Sequence, residues 1–395
     1  MSGKLFELEL TGMAYGGSAV GRHEGRAIFV PYVLPGERIR ARIKQDKKRF
    51  ALAEAVKLLG VAADRVEPRC PHFGPGLCGG CHWQHIAYPA QLLFKQQIVA
   101  DQLRRIGGLA EVVVQPTIPS PDPWNYRSHV TFQTTPAGRL GFVREDNAAV
   151  LALRECHLIR PELLDLFNQH NRNVPENTAR LRFQVGTDGA EHLAAITTPD
   201  EQMFGPVSAN TMVHYTIREH TFQVTAGSFF QVNLPQAETL VNLVLDRLGL
   251  TGTERVLDLY SGVGLFTAFL AEQAAQVTAV ESYPPAITDA EQNLAAFTNV
   301  ELVEGAVETV LAALEGDYAA AVLDPPRAGV DAQALAALIK LAPQTIIYVS
   351  CDPSTLARDV KMLTQNGYEV LEVQPVDMFP QTYHIETVCW LKKNS

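Results

Sequence analysis

The sequence predicts a multidomain α+β protein: a small N-terminal β-barrel of OB-like form, a central strand-rich region, and a C-terminal Rossmann-like α/β domain. Three observations lead there. Residues 1–60 read as short strands broken by glycine turns. Residues 66–85 crowd three cysteines among prolines and glycines. From about Leu234 onward, apolar strands alternate with helical patterns. We expect divisions at 1–60, 61–230 and 231–395. A chain of 395 residues is too long for one core, and 47% hydrophobic with 19% charged residues describes an ordinary globular protein.

Charge is distributed unevenly. Residues 1–60 hold eleven Lys/Arg against six Asp/Glu, a balance of +5, which leaves −15 for the rest of a chain whose net charge is −10. Within that basic module, Arg38 to Lys44 alternate strictly, so one strand face would carry Arg38, Arg40, Arg42 and Lys44. Lys47, Lys48 and Arg49 follow at once. Such a row favours contact with nucleic-acid phosphates. The opening MSGKLFELEL has no secretory pattern and no apolar run is long enough to span a bilayer, so we expect a cytoplasmic protein without a membrane partner. Six cysteines are too few for a disulfide scaffold in a chain this long.

A helical pattern runs from about Pro89 to Ile106, and residues 120–230 look strand-rich and irregular. The C-terminal strands are ERVLDLY, QVTAVES, VELVEG, YAAAVLDPP, TIIYVSC and HIETVCWLK, with helices between the first five. This is a mostly parallel sheet with an antiparallel last strand.

Four constellations carry chemistry. In DLYSGVGLFTAFLA, Gly262 and Gly264 turn a strand into a helix, letting backbone approach a ligand. Seventeen residues after Gly264, Glu281 ends the next strand and is placed to accept from a ribose diol. Thr267 stands where a dinucleotide fingerprint has its third glycine, so S-adenosylmethionine fits better than NAD or FAD. The second, VLDPPRAG, sets Asp324 at a strand end with Arg327 just beyond. An aromatic after Asp-Pro-Pro would suggest methylation of an amino nitrogen; Arg327 argues against it.

The third is YVSCDPSTLARD, which presents Cys351 where a strand stops. A thiol nucleophile beside a methyl donor suits carbon-5 of a pyrimidine: addition to carbon-6 makes carbon-5 nucleophilic, and a base then removes its proton. Glu386, in HIETV, is the candidate base. Cys389, inside an apolar strand, reads as core. The fourth is RCPHFGPGLCGGCHWQH, with Cys70, Cys78 and Cys81, joined by a later Cys156. Four thiols suit either zinc or an iron–sulfur cluster.

Together these segments resemble the RNA 5-methyluridine methyltransferases, in the branch that carries a TRAM RNA-binding barrel and a four-iron cluster. The resemblance rests on the cysteine loop, GSFFQVN, the glycine turn, LDPPR, SCDPSTLARD and HIET, and it spans nearly the whole chain. It implies that Cys351 attacks carbon-6 and that Glu386 is the base. It implies cofactor contacts at Gln231, Tyr260, Glu281 and Asp324, and a [4Fe-4S] cluster held by Cys70, Cys78, Cys81 and Cys156. Two departures stand out: the segment between Cys70 and Cys78 is longer than usual, and Leu265 replaces a common asparagine. The substrate is then a uridine flipped from structured RNA, with ribosomal RNA favoured over transfer RNA, and the chain a monomer with no obligate protein partner. Two other readings remain: a catalytically idle RNA-binding protein, and a methyltransferase acting on a nitrogen acceptor.

Overall fold

The computed structural model describes residues 5–394 apart from 172–173, 175–177, 198–204 and 207–210. The first five strands, β1 (Leu5–Met13), β2 (Ala19–His23), β3 (Arg26–Val30), β4 (Arg38–Asp46) and β5 (Phe50–Gly60), close a barrel in the order β1-β2-β3-β5-β4. Strand β4 shows why: Ile39, Ala41 and Ile43 point inward while Arg38, Arg40, Arg42 and Lys44 are exposed, the period of two its sequence dictates.

Residues 61–87 form the cysteine loop, with no regular element. Helix α1 (Tyr88–Gln102) follows and ends in a π-helical turn, Leu103–Gly107. The central sheet contains β6 (His129–Thr134), β7 (Leu140–Val143), β8 (Val150–Ala152), β9 (Arg180–Val185), β10 (His192–Thr197) and β11 (Gly205–Pro206). Its order is β11-β10-β9-β6-β7-β8, with α2 (Pro161–His170) packed on β9. A hairpin, β12 (Met212–Ile217) and β13 (His220–Thr225), completes this part of the chain.

The C-terminal sheet has seven strands: β14 (Arg255–Leu259), β15 (Gln276–Glu281), β16 (Val300–Glu304), β17 (Ala320–Leu323), β18 (Thr345–Ser350), β19 (Tyr368–Val376) and β20 (Glu386–Lys393). They run in the order β16-β15-β14-β17-β18-β20-β19, parallel except for β20, which is antiparallel to both neighbours. Between them lie α3 (Leu234–Leu248), before β14, then α4 (Leu265–Ala271), α5 (Pro284–Asn293), α6 (Val307–Ala313), α7 (Ala332–Leu341) and α8 (Pro353–Gln365). Helices on both faces explain the unbroken apolar runs of these strands. Alternate residues of β17 divide between two cores: Ala321 and Leu323 join α7, α8, α1 and the barrel, while Ala320 and Val322 join α3 and α4.

Two features differ from the sequence expectation. Strand β19 is not among the six that the pattern picks out; it occupies a sheet edge, where Pro375 is tolerated and alternation is weak. The β12–β13 hairpin falls in the segment assigned to the central region, yet Val213, Tyr215, Phe222 and Val224 pack in the core of the C-terminal sheet. No helix among the described residues is long and apolar enough to cross a membrane.

Candidate functional site

The carboxyl ends of β14, β15, β17 and β18 open on one edge of the sheet, and the N-terminal end of antiparallel β20 reaches the same edge. That is where ligands bind in doubly wound folds. After β14 the chain passes through Tyr260, at φ 65°, and Gly262, at φ 57°, to Gly264, whose φ of 91° caps α4. Glu281, ending β15, braces this turn: its carboxylate accepts from the backbone N–H of Gly262 (2.8 Å), Ser282 (2.7 Å) and Tyr283 (2.8 Å). The Thr267 hydroxyl donates to Asp258 Oδ2 at 2.5 Å, so a threonine in the third-glycine position holds a buried carboxylate.

Three carboxyls lie close enough to act on one another. Burial raises Asp258 to about 7, with Glu281 adding to the rise. Burial, reinforced by Asp258, likewise raises Asp324 to about 7. Glu386, only 2% exposed, is pushed well above the carboxylate range by burial and by Asp324. Glu386 Oε1 and Asp258 Oδ1 have no hydrogen-bond partner among the described residues.

Cys351 follows β18 directly. Asp352 caps α8, its Oδ1 accepting from Ser354 N–H at 2.9 Å and Thr355 N–H at 3.3 Å. Because Ser350 pairs with Thr387 across the antiparallel ladder, the next residues outward, Cys351 and Glu386, are neighbours at the sheet edge. Burial pushes the Cys351 thiol up to about 12, Glu386 and Asp324 push the same way, and Arg327 opposes them.

A cavity of about 860 Å³ joins these groups. Cys351, Glu386, Gln231, Tyr260, Gly262, Glu281 and Asp324 all line it, whereas Gly264 lies behind, against Leu294. Its far wall carries Cys70, Cys78, Cys81 and Cys156. The loop bearing three of these is pinned on two sides. Gly79 N–H bonds Val143 O of β7, while His82 and Trp83 N–H both bond Gln381 O, ahead of β20. Burial raises all four thiols, Cys78 to about 11. Gly80 N–H reaches Cys78 Sγ at 3.4 Å, and the backbone near Leu158 and Ile159 donates to Cys156.

The barrel cations are elsewhere. Arg38, Arg40, Arg42, Lys44, Lys47, Lys48 and Arg49 are exposed and none lines the cavity. Arg40 lies 3.7 Å from Glu7, and Glu54 takes both Arg42 (2.5 Å) and Lys44 (3.3 Å). The row predicted from alternation exists, but acids on the flanking strands face it.

A family model described as tRNA (Uracil-5-)-methyltransferase matches residues 209–394, and one described as TRAM domain matches residues 1–56. A Halalkalibacterium halodurans protein named as an uncharacterized RNA methyltransferase is 34% identical, across 98% of this chain and 96% of its own. A similarly named protein of Streptomyces avermitilis is 33% identical, across 99% of this chain and 98% of its own. Among solved structures, the Pyrococcus abyssi tRNA (uracil-54, C5)-methyltransferase in complex with S-adenosyl-L-homocysteine matches with a TM-score of 0.74 and 26% identity, over 97% and 99% of the two chains. The chain belongs to the RNA (uracil-5-)-methyltransferase family. It is an S-adenosylmethionine-dependent enzyme with an N-terminal TRAM barrel.

For this methyltransferase, three further residues at or behind the cavity received no role from the sequence. Phe229 is 61% exposed at the cavity wall, an apolar ring with no core to fill. His384, next to Arg327 at 3.4 Å, is lowered to about 3 by burial first and by Arg327. Lys95 is fully buried 282 residues from its partner Asp377, which its Nζ meets at 2.5 Å. The remaining Nζ bonds go to Phe379 O (3.0 Å) and His384 O (2.8 Å), two residues before Glu386. Only an exposed aromatic in GSFFQVN and a lone lysine in an apolar helix hinted at either.

Proposed function

We propose that this enzyme methylates carbon-5 of a uridine in structured RNA through a covalent adduct between Cys351 and carbon-6. The observation that carries this reading is Cys351 and Glu386 as neighbours lining one cavity, together with the glycine turn and Asp324. Gln231, Tyr260, Gly262, Glu281 and Asp324 would hold S-adenosylmethionine, with Gly264 setting the turn. Unpaired carboxyls around that space favour a sulfonium cation, which relieves their mutual repulsion.

Burial favours the protonated forms of Cys351 and Glu386 in the free protein; a bound sulfonium would favour both anions, and the two protons pass to solvent as the complex forms. The thiolate then adds to carbon-6 and electrons move onto the carbon-4 oxygen. Carbon-5 takes the methyl group as the S–CH3 bond breaks, leaving S-adenosylhomocysteine. Glu386 accepts the carbon-5 proton; the carbon-5–carbon-6 double bond re-forms and expels the thiolate. A base in this position must leave its stack, and the exposed ring of Phe229 offers it a surface.

RNA is the partner, reached through the TRAM barrel. The cysteine loop and barrel together favour ribosomal RNA. The Pyrococcus abyssi enzyme is named for tRNA uracil-54, so both substrates enter the test. Cys70, Cys78, Cys81 and Cys156 line one part of the cavity, and four thiolates would hold a [4Fe-4S] cluster, with zinc the alternative. Amide donors to the sulfurs suit a cluster as well. Its contribution when bound is structural, since the reaction transfers no electron. Anaerobically purified protein should be brown, with iron and sulfide; colourless protein holding one zinc would overturn the assignment.

The decisive experiment incubates enzyme and S-adenosylmethionine with RNA containing 5-fluorouridine. Fluorine cannot leave as a proton does, so an adduct at Cys351 should accumulate. Substrate RNA comes from mapping 5-methyluridine lost on deletion of the gene. Absence of an adduct on that RNA sinks the covalent mechanism.

A further inference from the structure

Three segments far apart in sequence converge behind the Cys351 turn. One is the barrel loop between β1 and β2. Its Tyr15 hydroxyl donates to Asp352 Oδ2 at 2.7 Å, bridging 337 residues. The same carboxylate caps α8 through its other oxygen, so one side chain both starts the helix and receives the barrel. The second segment is the end of the cysteine loop: buried Trp83 donates its Nε1–H to Gly17 O at 3.1 Å, and His82 packs on Tyr383 at 4.4 Å. The third is the stretch before β20, where Tyr383 meets Tyr15 edge to face at 5.9 Å and leans on His384 at 4.4 Å.

Gly17 shows how close this approach is. A Cβ there would lie 3.0 Å from the Tyr383 ring, and its φ of 89° already favours glycine. The Arg327 guanidinium lies beside the Tyr15 and Tyr383 hydroxyls, and its charge acts on Cys351. The groups facing that thiol are therefore Glu386 from β20, Asp324 and Arg327 beyond β17, and Asp352 on its own turn.

We propose that Tyr15, supplied by the TRAM barrel, is a positioning residue for methyl transfer: it anchors the Asp352 carboxylate and thereby fixes the Cys351 turn and Arg327. The barrel is then part of the catalytic assembly and not solely an RNA handle. This inference rests on Cys351 being the nucleophile.

The test compares wild type, Tyr15→Phe, Asp352→Ser and the double variant. Phenylalanine removes one hydroxyl and keeps the ring. Serine still caps α8 but cannot reach Tyr15. Kinetics are measured with S-adenosylmethionine and substrate RNA, alongside the rate of adduct formation on 5-fluorouridine RNA. Tyr15→Phe should slow both kcat and adduct formation by about ten- to a hundred-fold, with KM for both substrates unchanged. Asp352→Ser should slow them similarly, and the double variant no further, because the two act as one unit. A purely electrostatic role for Asp352 predicts the reverse for Asp352→Ser, since removing a negative charge favours the thiolate.

Unchanged kcat in Tyr15→Phe, a rise confined to KM for RNA, or additive losses in the double variant each overturn the proposal. Should Tyr15→Phe fail to fold, Asp352→Ser decides alone: wild-type or faster adduct formation overturns the anchor. If wild type itself forms no adduct on its confirmed RNA, the nucleophile assignment has failed instead.

Discussion

The outer face of β4 and the carboxyl edge of the C-terminal sheet are both crowded with charge, and they treat it in opposite ways. On β4, Arg40 meets Glu7, while Arg42 and Lys44 share Glu54, all in solvent. Each pair is worth little, and screening by salt makes it worth less. At the sheet edge Asp258, Asp324 and Glu386 are withdrawn from water with no cation placed on them, and oxygens of Asp258 and Glu386 lack any partner. Folding alone gains nothing from that arrangement; a cationic cofactor and a proton to be moved give it a use. Charge that neighbours already satisfy is scaffold, and charge left unsatisfied marks the site.

The largest effects should follow from removing the unsatisfied groups. Cys351→Ala is expected to lower methyl transfer by about 10⁴-fold or more and to abolish the 5-fluorouridine adduct. Glu386→Gln should separate the two halves of the reaction. Addition and methylation proceed, proton removal slows by ~10²–10⁴-fold, and methylated RNA stays attached to Cys351 on ordinary uridine substrate. A denaturing gel resolves the outcomes. Rapid turnover by Glu386→Gln would return its charge to the class of scaffold.

Lys95 and Asp377 are the exception that sharpens the contrast, a buried pair in which cation directly meets anion, although Asp377 Oδ2 has no hydrogen-bond partner among the described residues. Lys95→Met strands the Asp377 carboxylate in the core and should cost ~3–5 kcal/mol in urea denaturation. Activity should fall as well, since His384 O loses its donor beside Glu386. A loss below about 1 kcal/mol would show that this pair behaves like those on β4.

How much of this could be read beforehand depended on sequence separation. Cys351, Glu386, Asp324 and Glu281 sit in short local patterns whose strand-end positions follow from periodicity, and the four cysteines stand out by residue type. Lys95–Asp377 and Tyr15–Asp352 join residues 282 and 337 apart, and no local pattern announces either. On the barrel, alternation foretold the exposed cations; their acidic partners come from register, Glu7 opposite Arg40 and Glu54 opposite Arg42. A strand's own sequence is silent about its neighbours. Edge strand β19 escaped because only its second half, Val373 to Val376, is continuously buried, so no apolar run spans its length.

Asp324 provides a smaller, pH-dependent test. Its folded value, about 7, exceeds the ordinary 3.8, so the native state keeps a proton that the unfolded chain releases first. Stability from this group is therefore complete below about pH 4 and is lost as pH rises toward 7. Asp324→Asn should flatten that fall, by on the order of 1–3 kcal/mol between acidic and neutral pH in ligand-free protein. Parallel stability curves for the two proteins would mean that Asp324 is solvated and its charge unremarkable.

The smallest effects belong to the barrel, where the comparison can also be broken. Arg40→Ala with Arg42→Ala removes cations that Glu7 and Glu54 already answer, so stability should change by under about 1 kcal/mol. Lys47, Lys48 and Arg49 lie at the β4–β5 turn with no ion pair to their side chains among the described residues. Replacing these three by alanine should weaken RNA binding regardless of sequence and reduce the slope of log K against log salt by about 2. The Arg40/Arg42 double variant should reduce it by less than about 1, because Glu7 and Glu54 already neutralise these arginines, so they displace few counterions from phosphate. Equal slopes for the two variants would mean that RNA displaces Glu7 and Glu54 from their partners, and that the paired row is a store of phosphate contacts opened by the substrate.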